Sequence, residues 1–161
     1  MDLTATEGGL AELIERGGIY RDVEGTTPRE VLTALTGALP PIPSVPGDKL
    51  LEAVLEREAL MSTSIGNGIA LPHPRNPLIK ASGGQFAALA FLEHQVDWNS
   101  LDGEPVDTLL LIVSASAKQH LQTLSEINFF CRQADFRRLL RERVGQEELL
   151  HFIRKTEKNW R

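Results

Sequence analysis

A single α/β domain, built as a three-layer sandwich with a central mixed β-sheet and helices on both faces, is the fold class this sequence predicts. Three observations predict it: helical and extended patterns alternate along the chain, two long segments are apolar on both alternations, and two capping boxes open helices. The 161 residues, read as one domain over 1–161, are enough for a sizeable core, and 42% hydrophobic with 24% charged residues is an ordinary globular balance.

Taken in order, GIY at 18–20 reads as a short strand. Thr27-Pro28-Arg29-Glu30 is a capping box with proline in the first helical turn, and Val31, Leu32 and Leu35 follow on one face until Pro40 and Pro41 stop the helix. After the PPIPSVPGD connector, a second helix from about Pro46 to Leu60 turns Leu50, Leu51, Val54 and Leu55 inward and Lys49, Glu52 and Glu56 outward. Arg57 falls on the margin of that apolar stripe, so its stem can lie along the core while the guanidinium sits at an edge.

IALPH at 69–73 reads as another short strand. FAALAFLEH at 86–94 and VDTLLLIVS at 106–114 are the doubly apolar segments, and strands covered on both faces belong in the middle of a sheet. Between them Asp102-Gly103-Glu104-Pro105 is turn chemistry, with Trp98 expected on a short strand just before it. Ser116 with Gln119 forms the second capping box, opening a helix with Leu124, Ile127 and Cys131 on one face. Asp135 and Gln146 stand near the starts of two more short helices. Cys131, the one cysteine, has no partner for an internal disulfide and reads as a buried apolar residue.

Charge and hydropathy exclude some classes. Seventeen basic against 22 acidic residues give a net charge of -5, which argues against broad adhesion to nucleic acid or anionic lipid. No apolar run approaches the roughly 20 residues that span a bilayer, and no signal-peptide pattern opens the sequence, so a cytoplasmic protein without membrane insertion is expected. No HxxxH or CxxC spacing suggests a metal, and no cofactor is expected.

The chemistry concentrates in STSIGNGIALPHPRNP, residues 62–77. Glycine loosens φ and proline fixes it, so Gly66, Gly68, Pro72 and Pro74 together specify one path for the chain around His73. His120 follows four residues after the Ser116 cap, in the first turn of a helix where backbone N–H groups and the helix dipole favour an anion. Two histidines and Arg57 could surround one phosphoryl group. More ordinary roles stand beside this one: a turn or strand end for His73, a solvent-facing helix position for His120, an ion pair of Arg57 with Glu56 or Glu58, and local turns for the hydroxyls of residues 62–64. His94 and His151 have no motif around them, and Arg137, Arg138, Arg141 and Arg143 read as a solvated helix face.

The run from Ser62 to His73, with its Gly66-Asn67-Gly68-Ile69-Ala70 core and Pro72-His73 end, resembles the phosphorylation-site signature of the fructose/mannitol-class enzyme IIA domains of the bacterial sugar phosphotransferase system, nearest the nitrogen-regulatory branch. Arg57 ahead of the histidine, the turn Asp102 to Asp107 and the helix near His120 extend the similarity over nearly the whole chain, while Pro74 stands where glycine is common in the class. The resemblance implies a mixed sheet between helices, His73 as phosphoryl acceptor, and His120 and Arg57 as its active-site companions. Ser64, Gly66, Asn67 and Gly68 are the expected phosphate- or partner-binding residues. It further implies a histidine phosphocarrier protein as donor and either a IIB component or a regulatory target as recipient. Phosphoryl relay in sugar uptake, and a phosphorylation-controlled binding module regulating nitrogen, carbon or potassium metabolism without onward transfer, are the two functions it leaves open.

Overall fold

In the computed structural model, which describes residues 9–80 and 83–159, the doubly apolar segments take the middle of one sheet. Strands β4 (Phe86–Val96) and β5 (Val106–Val113) pair antiparallel, from Phe86 opposite Val113 to Val96 opposite Val106. On one side β1 (Ile19–Val23) runs parallel to β4. On the other β3 (Ile69–Ala70) runs parallel to β5 and pairs antiparallel with β2 (Ser64–Gly66), so the order is β1-β4-β5-β3-β2 and the sheet is mixed.

The two-residue period of the strands divides the interior into two cores. Ala87, Leu89 and Phe91 of β4 and Leu110 and Ile112 of β5 face α1 (Leu10–Gly17), α4 (Ala117–Cys131), α5 (Ala134–Arg141) and α6 (Gln146–Lys158). Ala88, Ala90 and Leu92 with Leu109, Leu111 and Val113 face α2 (Pro28–Ala38) and α3 (Gly47–Leu60). Helices therefore cover both faces, as expected. Cys131 is buried against the first core, and that burial pushes its thiol up to about 12, far from reactivity.

Both capping boxes form. Thr27 Oγ1 accepts from Glu30 N–H and Ser116 Oγ from Gln119 N–H, each at 3.1 Å. The return bonds of Glu30 and Gln119 go one residue further back, to the N–H groups of Thr26 and Ala115, each at 2.9 Å. The start of α4, and with it the position of His120, is fixed by these two bonds.

Several expectations need correction. No element was expected at residues 10–17; its cap, Gly9, has no side chain, and Glu126 of α4 instead accepts the Leu10 N–H at 2.9 Å from 116 residues away. Residues 97–100 are not a strand, because Trp98, 2% exposed, offers its carbonyl to the Ser62 hydroxyl rather than to a neighbouring strand. The strand expected over IALPH stops at Ala70, since prolines at 72 and 74 have no N–H to give, although Ile112 N–H still donates to the Pro72 carbonyl at 3.0 Å. In α3, Leu50 and Val54 are buried while Leu51 and Leu55 are only half-buried. Arg143 is not on a helix face: it follows α5 with φ 51°, packs over Phe91 and donates to the Leu92 carbonyl at 2.7 Å. Among the described residues no helix is long and apolar enough to cross a membrane.

Candidate active site

Three chain segments meet at one edge of the sheet, and strand direction explains why. Because β3 and β5 are parallel, their C-terminal ends lie side by side, so Leu71-Pro72-His73 after β3 and Ser114-Ala115-Ser116 after β5 leave the sheet together. The second segment leads straight into α4, whose first turn carries His120. β2 is antiparallel to β3, so the chain arriving from the end of α3, with Arg57 in its last turn, enters at this same edge.

The histidines meet there. The rings of His73 and His120 lie 4.6 Å apart between centroids, tilted by 47°, and both are half-buried. His73 Nδ1 is 2.8 Å from the carbonyl of Leu71. A carbonyl only accepts, so Nδ1 carries the proton, and in the neutral ring Nε2 keeps its lone pair. His120 Nδ1 has a longer contact, 3.4 Å, with Ser114 Oγ. Arg57 Nη1 donates to the Met61 carbonyl at 2.6 Å, closing the end of α3, and among the described residues it forms no ion pair.

Burial and charge favour the neutral form of both rings. His73 is held below its ordinary 6.5, first by desolvation and then by the Arg57 guanidinium, while its bond to Leu71 and the Glu58 carboxylate pull the other way. His120 is pushed down to about 4 by desolvation, by His73 and by Arg57. The charge of Arg57 thus acts in the same direction on both rings. A histidine that binds its proton more weakly folded than unfolded supports the fold fully above 6.5 and loses that support as pH falls towards 4. Chemical denaturation between these pH values should show stability falling with acidity, and His120→Asn should flatten that slope; an unaltered slope would remove His120 from the buried pair.

The glycine-rich stretch is a hairpin tip. Gly66, Asn67 and Gly68 all take positive φ, at 87°, 57° and 78°. A Cβ on Gly66 would come within 3.1 Å of Asp102 Oδ2, and one on Gly68 within 3.1 Å of Asp107 Oδ1, so side chains at these two positions meet both strain and carboxylates. Two of the N–H groups are already in use: Gly66 donates to Ser64 Oγ at 3.3 Å and Asn67 to Asp102 Oδ2 at 3.1 Å, while the Gly68 carbonyl accepts from Asp107 and Thr108. Ser64 Oγ also accepts from Ser100 Oγ at 2.7 Å. The structure thus brings His73, His120 and Arg57 together and places the expected phosphate-binding turn against two aspartates. Glu58, which grips Thr63, and the Leu71 carbonyl were not foreseen as site components: a glutamate in a last helical turn looks like any solvated one, and a carbonyl leaves no trace in sequence.

The family described as "Phosphoenolpyruvate-dependent sugar phosphotransferase system, EIIA 2" matches this chain over residues 12–156. The chain belongs to the EIIA type 2 family. A nitrogen regulatory protein of Pseudomonas aeruginosa is 31% identical over 147 residues, covering 89% of this chain and 94% of that protein. The crystal structure of nitrogen regulatory protein IIA-Ntr from Neisseria meningitidis shares this EIIA type 2 fold with a TM-score of 0.74 at 24% identity, covering 89% of this chain and 97% of the other. The complex of enzyme IIAMtl with phosphorylated enzyme IIBMtl from Escherichia coli contains a second such fold, with a TM-score of 0.59 at 18% identity, covering 84% of this chain and 92% of the other. The resemblance drawn from residues 62–73, including its nitrogen-regulatory side, agrees with these EIIA relatives, and the mixed sheet between helices is the fold they share.

Proposed function

We propose that this EIIA type 2 domain accepts a phosphoryl group on Nε2 of His73 from a histidine phosphocarrier protein in the cytoplasm. The observation that carries this reading is the Leu71 carbonyl on Nδ1, which leaves Nε2 of a half-buried, neutral imidazole as the free nucleophile. In the step itself the Nε2 lone pair forms a bond to phosphorus while the donor's N–P bond breaks and its electron pair returns to the donor ring. Each ring keeps its N–H on the nitrogen away from phosphorus, so no proton moves and no general base is needed. As His73 gains the phosphoryl group its ring becomes cationic, and the Leu71 carbonyl stabilises the Nδ1–H that bears the charge.

The remaining charge in flight is on the peripheral phosphoryl oxygens. Arg57 can turn from the Met61 carbonyl to two of them, and His120 can donate from its ring N–H while the first turn of α4 adds the field of its N-terminus. Ser64, Gly66, Asn67 and Gly68 are assigned to placement of the His73 segment, since the N–H groups of Gly66 and Asn67 are committed within the protein.

The exposed apolar side chains support a protein as donor. The large hydrophobics that stand exposed among the described residues are Leu60, Met61, Ile65, Leu101 and Leu121. Leu60 and Met61 end α3 beside Arg57, Leu121 follows His120, Ile65 lies in β2, and Leu101 sits on the turn that Ser100 and Asp102 tie to the hairpin. Apolar side chains grouped around a reactive centre mark a docking surface. Leu121→Asp should raise the KM for the phosphocarrier by about tenfold while kcat changes little, as an anchor at the centre of an interface does; an unchanged KM would place docking elsewhere.

Incubation of the purified chain with phosphoenolpyruvate, enzyme I and histidine phosphocarrier tests the reading. It should gain one acid-labile, base-stable phosphate, and a chain that stays unlabelled contradicts it. The phosphorylated IIB seen with a related fold favours onward transfer, whereas the nitrogen regulatory relative favours a phosphorylation-controlled binding module. Rapid loss of label to added IIB components marks a relay; stable label with altered binding marks a switch.

A further inference from the structure

The hydrogen bonds behind His73 form an unbroken series that ends at a carboxylate. Glu58, in the last turn of α3, accepts twice from one residue: Oε2 takes the Thr63 N–H and Oε1 the Thr63 hydroxyl, each at 2.7 Å. Thr63, 6% exposed, offers its carbonyl to the Leu71 N–H at 3.0 Å. Leu71, 3% exposed, offers its carbonyl to the Nδ1–H of His73. Every group between the carboxylate and the ring is thus committed in one direction, and none is free to turn without breaking a bond in a buried place.

A carboxylate acceptor is more than the turn requires. Removing a half-buried carboxylate from water is unfavourable unless donors replace the lost hydration, and here the donors are the two that Thr63 owns. A paired grip of this kind fixes both the backbone and the χ1 of Thr63, whereas a single bond would fix neither fully. Thr63 in turn sets where Leu71 lies across the base of the hairpin, and the other side of the His73 segment is held by Ile112 N–H on the Pro72 carbonyl. The imidazole is therefore mounted between β5 and a residue anchored by Glu58. The carboxylate also opposes the effect of Arg57 on the ring.

We propose that Glu58 is a positioning residue for phosphoryl acceptance: acting through Thr63 and Leu71, it holds the His73 ring in the tautomer and rotation that present Nε2 to the donor. The proposal rests on the reading of His73 as acceptor, and its test separates the two. In the full chain with 15N-labelled histidine, the ring nitrogen shifts of neutral His73 report the tautomer directly, whether or not phosphate is taken up. Wild type should show the Nδ1–H form. Glu58→Ala should mix the tautomers and slow single-turnover phosphoryl uptake by about tenfold with KM unchanged, the usual scale of an outer-shell orienting group. Glu58→Gln, which can still accept from the Thr63 N–H and donate to its hydroxyl, should restore the tautomer and most of the rate. Should Glu58→Ala not fold, Thr63→Val, which loses only the hydroxyl arm, carries the same test with a loss of about threefold. A wild-type tautomer and rate in either variant overturns the proposal. A tautomer shifted in Glu58→Ala, when wild type itself accepts no phosphate, would uphold the positioning and overturn the functional reading instead.

Discussion

His73→Ala should take up no phosphoryl group from the phosphocarrier, with its melting temperature close to wild type. The expected loss is complete because the nucleophilic atom is gone, and the neighbouring ring cannot substitute. His120 lies only 4.6 Å away, yet desolvation and the cationic surroundings push it down to about 4, and a less basic nitrogen is a poorer nucleophile. Fold should survive because the backbone bonds that mount the segment, Leu71 N–H to Thr63 and Ile112 N–H to Pro72, do not involve the imidazole. Phosphate retained by His73→Ala would mean that another group accepts it.

Arg57→Ala should slow the same transfer by about 100-fold, the scale on which one preorganised donor to a developing anion contributes. Two effects combine, and they can be told apart. The first is geometric: a guanidinium presents paired donors to two phosphoryl oxygens, which an ammonium cannot, so Arg57→Lys should recover only a small part of the rate. The second is electrostatic. Arg57 is one of the causes that hold His73 below 6.5, so its removal lets the ring's affinity for protons rise, leaving more of it cationic and inert at mildly acidic pH. The acidic limb of the rate profile should therefore move to higher pH in Arg57→Ala but stay in place in Arg57→Lys. A single-turnover profile across pH 5 to 8 checks both, and an unshifted limb in the alanine variant would remove the electrostatic part. Stability should change little, since Arg57 contributes one partly exposed bond, to the Met61 carbonyl.

How far the sequence reveals all this depends on how local each cause is. β4 and β5 are legible because both alternations of each are apolar, and the starts of α2 and α4 because Thr27 and Ser116 cap by contacts within four residues. α1 is hidden because its N-terminus is satisfied by Glu126, a partner no local window contains. β2 exists only through pairing with β3 and has no pattern of its own. Burial of Trp98 is foreseeable; that its carbonyl would meet Ser62 rather than a strand is not.

The site divides in the same way. The helical phase of Arg57 and the proline-flanked His73 are written in short windows, while the roles proposed for them come from the resemblance to the family signature. The meeting of His73 with His120 follows from the parallel pairing of β3 and β5, which joins residues distant in the chain. The glycine tip misleads for a related reason: freedom of φ shows that the backbone turns there, but not that Asp102 and Asp107 will be what it turns against. Pro74, the departure from the family pattern, is buried beside a histidine whose ring is already oriented from the other side, by Leu71.

The central claim concerns one nitrogen. The 15N spectrum of the phosphorylated protein, with phosphorus coupling resolved, identifies the atom that carries the phosphoryl group. Coupling at Nε2 of His73, with Nδ1 still protonated against the Leu71 carbonyl, is the result the geometry requires. Coupling at Nδ1, or on the ring of His120, would contradict it.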